Sequence, residues 1–243
     1  MGPVLPVIVG DLLVGTGAGA LALVALADLG ATYAGWTPVA ARPALAVAAG
    51  AGLALVVVGA IATVVPRARA VASPDTAPVL RTSRAARGMA LALVLAAAAF
   101  VVVLALEVRP RRVWALSTVT MLLAWAVLAF RAEARHGASS IRDAVCALGA
   151  GAVIVEAVVR PAVGPTWVAA AGLGFLVAAW VTGERARPAH RRWPAFVGGI
   201  AIALAFVVPA LWLVAGLAEP GAGLAAAASC VAGFALLRCG ARV

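Results

Sequence analysis

Apolar residues in this chain come in long runs separated by short polar breaks. The runs fall near Val4 to Leu29, Ala44 to Val65, Met89 to Val108, Val113 to Phe130, Ala144 to Val159, Thr166 to Thr182, Pro194 to Leu217 and Gly221 to Leu237. Runs of about twenty residues match a hydrocarbon core of about 30 Å at about 1.5 Å of rise per residue. They lack the alternating pattern of a barrel strand, and a helix is the form in which an open chain satisfies its own backbone amides inside lipid. The pattern therefore predicts an all-α integral membrane protein of eight transmembrane helices. The fifth run is the shortest, so it is the one expected to tilt or extend.

The breaks set an orientation. Of the nineteen basic residues, fourteen fall on the side shared by the two termini, among them Arg67, Arg87, Arg131, Arg185 and Arg242. Arg42, Arg109, Arg111, Arg112 and Arg160 fall on the other. Positively charged short loops stay in the cytoplasm, so both termini are expected there, in a multi-pass protein of the inner (cytoplasmic) membrane. Trp114, Trp167 and Trp193 open the fourth, sixth and seventh runs at headgroup depth, and Tyr33 and Trp36 follow the first. Short connections around Arg109, Arg160 and Pro220 force antiparallel neighbours. The single membrane domain, 1–243, divides naturally into two tandem four-helix bundles, 1–130 and 131–243. Helices one and five both enter from the cytoplasmic side and both carry glycine pairs, although no strong sequence repeat links the halves.

Composition agrees: 65% of the 243 residues are hydrophobic, 12% are charged, and the mean hydropathy is +1.10. A net charge of +10 raises the question of nucleic acid. The arginines lie between apolar runs and not on an amphipathic face beside aromatics, so the partner implied is the lipid bilayer and no nucleic acid. Cys146, Cys230 and Cys239 are an odd set without CxxC spacing, which excludes a zinc site or an iron–sulfur cluster built from this chain alone.

Chemistry rests on few residues. Asp11 lies about two turns into the first helix and Glu156 about three and a half turns into the fifth. An acid at such depth costs roughly 2.5 to 3.5 kcal/mol on insertion scales, so each needs a partner, a proton or a use. Glu156 reads either as an i,i+4 pair with Arg160 that pins the helix end, or with it as a proton route. Asp11 has no charged residue within a turn. It reads either as an acid hydrogen-bonded to a neighbouring helix or as the partner of a quinone headgroup, with Gly15 and Gly19 thinning the helix wall beside it. Ser117, Thr118 and Thr120 read as hydroxyls bonded to backbone and not as nucleophiles. His136 and His190 lie in arginine-rich breaks and not inside helices, so neither haem ligation nor another metal site is expected.

Three segments carry a family likeness: GDLLVGTGAGALAL in the first run, FVGGIAIALAFVVPALWL in the seventh, and SCVAGFALLRCGARV at the end, with Gly233, Phe234, Leu236, Leu237 and Arg238. Together with eight helices and no haem ligands, this pattern resembles the membrane subunit of polysulfide reductase and its NrfD-like relatives. The resemblance implies a haem-free anchor subunit of a respiratory oxidoreductase. Such a subunit exchanges electrons and protons with quinone or quinol (menaquinone or ubiquinone) and partners an iron–sulfur subunit and a catalytic, molybdopterin-type subunit. The chain lacks a helix-interior His or Tyr to hold a quinone, and Asp11 is assigned from its burial, not matched to a family position. A small permease with a midplane site, or a non-catalytic scaffold, are the alternatives from other classes.

Overall fold

A computed structural model describes residues 4–33, 42–70, 84–106, 110–133, 138–185, 195–217 and 219–240. The expectations for Trp36, Arg109, His136, His190 and Trp193, and for the side chains of Arg111, Arg112 and Arg238, fall outside the residues or side chains described. The helices are α1 (Val4–Tyr33), α2 (Arg42–Ala70), α3 (Arg84–Ala105), α4 (Pro110–Glu133), α5 (Ala138–Val163), α6 (Trp167–Arg185), α7 (Ala195–Ile202), α8 (Val208–Ala215) and α9 (Pro220–Gly240). A single π-helical turn, Ala203–Val207, joins α7 and α8 into one continuous rod. Among the described residues there are thus eight rods and no strand, one rod for each apolar run. The fifth, shortest as a run, extends at both ends into a helix of 26 residues.

Five of these helices are long and apolar enough to cross a membrane, and α4, α6 and α9 contain shorter apolar stretches. What faces outward supports lipid as the solvent. Along α3, Leu91, Leu95, Val102 and Leu106 are 53 to 69% exposed, whereas the buried residues include Thr16, Asp28, Ser117, Thr120, Glu156 and Arg160. Apolar outside and polar inside is the arrangement a bilayer permits and water does not favour.

Packing is organised around α1 and α5. In α1 83% of the apolar span is buried and in α5 72%, against 22% in α3. Without a hydrophobic force between helices in lipid, close backbone approach has to supply the attraction, and small residues permit it. A Cβ on Gly10 would lie 2.7 Å from the Gly59 carbonyl oxygen, and Gly17 meets Gly52 and Val56, so α1 and α2 run antiparallel. Gly19 abuts Ala147 and Gly151 abuts Ala20, so α1 and α5 meet in backbone contact. One apolar core gathers α1 to α4 and a face of α5; a second gathers α5, α6, the π turn, α8 and α9.

Candidate functional site

The structure places the buried ionisable groups in two clusters, one near the end of α5 and one near the end of α1. The first is built on α5. Glu156 and Arg160 stand one turn apart, so their side chains meet on the same face, with Arg160 Nε donating to Glu156 Oε1 at 3.1 Å. Both side chains are 0% exposed. Gly164, at φ 78°, ends the helix and turns the chain so that Thr166 comes back over the acid. The Thr166 amide donates to Glu156 Oε1 at 2.9 Å and its hydroxyl to Oε2 at 2.7 Å. That hydroxyl also accepts from the Val168 amide at 3.1 Å, which makes Thr166 the cap of α6.

Arg160 reaches further. Its two terminal nitrogens donate to the Trp212 and Leu213 carbonyls at 3.1 and 3.2 Å. These lie in the last turn of α8, which Gly216 at φ 69° terminates, so the guanidinium meets carbonyls at the negative end of that helix. It also stacks on the Trp212 ring, 4.3 Å from the centroid. The i,i+4 pair expected from the sequence is formed, but Arg160 is no interfacial loop charge. It lies inside the last turn of α5 and ties α5 to α8, while Glu156 reaches Thr166 at the head of α6.

The second cluster centres on Asp28, an acid that sequence reasoning passed over because the first run fades at Leu29. In the structure α1 continues to Tyr33 and Asp28 is 1% exposed. Ser117 Oγ, from α4, donates to Asp28 Oδ2 at 2.8 Å, and Arg42 Nε, from the first residue of α2, lies 3.5 Å from Oδ1. The Ser117 hydroxyl thus serves a carboxylate on another helix, a partner not expected from the sequence. Thr118 keeps the expected local bond, to the Trp114 carbonyl at 2.9 Å. Thr120 is buried and its hydroxyl has no hydrogen-bond partner. The signal available in the sequence was an acid and an arginine flanking one short connection, with a lone serine far away.

Asp11 belongs to neither cluster. It sits on α1 seventeen residues before Asp28, about 25 Å away along the axis. Asp11 is half-buried, as are Val9 and Leu13, whereas every residue from Val14 to Ala25 is buried. Gly15 is buried. Gly19 faces α5, and the space left by its missing Cβ is filled by the Ala147 carbonyl. Among the described residues no three His, Cys, Asp or Glu side chains converge as a metal site. No protein-family model matches the chain, and no curated protein or solved structure matches it.

Proposed function

We propose that the chain is the haem-free, quinone-reactive membrane subunit of a respiratory oxidoreductase, exchanging electrons with an iron–sulfur partner that serves a molybdopterin-type catalytic subunit. In this reading the three shorter apolar helices complete eight spans arranged as tandem four-helix bundles. The arginine distribution sets both termini on the cytoplasmic side of the inner membrane. The two acid clusters then lie toward the opposite face.

The observation that carries the reading is Asp11. On the most enclosed helix of the molecule, an acid occupies the stretch where the wall is partly open, within reach of a headgroup arriving from lipid. The segment around it is one of the three that resemble the polysulfide reductase membrane subunit. Glu156 and Arg160 serve this reading as a structural pin, because every bond described for them holds helices together. Gly19 serves as a helix contact.

Affinity purification from native membranes in mild detergent, followed by iron, molybdenum and quinone analysis, tests the assignment. Asp11→Asn is expected to lower quinol turnover by roughly a hundredfold, the scale of a lost proton-transfer group, with assembly intact. Undiminished turnover removes Asp11 from the mechanism. One observation favours a second reading, a small permease: the π turn Ala203–Val207 interrupts the α7–α8 rod, and such turns frequently mark functional sites. Purification without iron or molybdenum, together with solute uptake by vesicles containing the chain alone, selects that reading instead.

A further inference from the structure

Two causes of helix bending coincide in the rod formed by α7, the π turn and α8. In the π turn the hydrogen-bond ladder slips by one residue, so the Val208 amide donates to the Ala203 carbonyl, five positions back. Pro209 follows at once. It has no amide, and so cannot serve the Ala205 carbonyl, its partner in an α-helical ladder. Inside lipid, a carbonyl deprived in this way is served from a neighbouring helix. Here the donor comes from α9: Cys230, fully buried, gives its thiol to the Ala205 oxygen at 3.5 Å. Gly233, one turn further along α9, lets the two backbones close up, since a Cβ there would strike the Ala205 nitrogen and Cα. Phe206, within the π turn, is held edge-on between Trp180 of α6 and Phe234 of α9, at ring separations of 5.4 and 5.2 Å.

The two halves of the rod are fastened differently. The far end of α8 is tied by Arg160, which donates to the carbonyls of Trp212 and Leu213, and both of those residues are buried. The α7 segment, AFVGGIAI, has no polar side chain to hold it and packs on α9. Its Gly199 and Ile200 are exposed. We propose that the π turn and Pro209 form a hinge on which α7 swings while α8 stays fixed, with the bond from Cys230 to Ala205 as its latch. A thiol is a weak donor. Opening the hinge breaks that one S–H···O bond and needs no amide bond broken at Pro209, so the rod bends more readily here than along its regular turns. The inference holds for either reading of the activity, because it concerns the motion of one helix and its readout is a distance.

Pulsed electron paramagnetic resonance on the full-length chain in lipid nanodiscs tests it. Spin labels carried by non-natural amino acids replace Ile200 on α7 and Val214 on α8, 41% and 71% exposed, so that no cysteine is altered. Two separations are expected in the labelled wild type, a longer one from the straight rod and a shorter one from the bent rod. Cys230→Ala should raise the share of the shorter one about threefold, the scale of one weak hydrogen bond. Pro209→Ala, which restores the amide, should abolish it. A single separation common to all three proteins overturns the hinge, as does a shorter separation that Pro209→Ala leaves unchanged. A share that Cys230→Ala leaves unchanged overturns the latch. Pro209→Ala carries the test by itself where Cys230→Ala fails to fold.

Discussion

Glu156 and Asp28 occupy matching places on α5 and α1, the two most buried of the long apolar helices. Each stands near the end of its helix, and each is met by a residue at the start of the following helix, Thr166 before α6 and Arg42 at the head of α2. Their surroundings then diverge. Around Glu156 the arginine comes from the acid's own helix and is sealed beneath carbonyls of a third, so the charge is locked and the cluster ties three helices. Around Asp28 the arginine comes from across the connection, is partly exposed and stands further off. The contrast teaches that a buried acid in a membrane helix can be answered from its own helix, in a closely bonded pair, or from the next helix at longer range.

The comparison is broken most directly by removing each arginine. Arg160→Met strands a fully buried carboxylate and frees the end of α8, and is expected to lose about 3 to 5 kcal/mol, read from unfolding midpoints in detergent micelles. An equal loss in Arg42→Met would erase the distinction between the two pairs. A smaller effect belongs to Thr166→Val, which removes both a charge-assisted bond to Glu156 and the cap of α6, worth about 2 kcal/mol together. Ser117→Ala removes a single interhelical bond and is expected to cost less, about 0.6 kcal/mol, the average for such bonds in membrane helices. A double-mutant cycle on Asp28 and Arg42 should give a coupling well below that on Glu156 and Arg160.

Much of the architecture was legible in the sequence. Each apolar run became one rod, and the shortest, Ala144 to Val159, lengthened to Ala138–Val163 despite the low helix propensity of Ser139, Ser140 and Pro161 in its added turns. The pair of Glu156 and Arg160 was legible too, since i,i+4 spacing is a local property. Asp28 was not. At the end of a fading run it resembles any interfacial acid, and only the continuation of α1 to Tyr33 encloses it. The role of Gly19 was also hidden: a glycine in an apolar run says that something comes close, and here that is the Ala147 carbonyl and not a headgroup.

By itself the sequence determined which segments are helical and apolar enough to meet lipid, because period, run length and hydropathy are properties of neighbouring residues and need no fold to be expressed. Tertiary structure alone decided who answers each buried charge. Ser117 reaches Asp28 across 89 positions, and Arg160 reaches the Trp212 and Leu213 carbonyls across 52 and 53. In a medium without water, a charge must find its partner wherever packing brings one, and helix packing depends on surfaces that no single run of sequence contains.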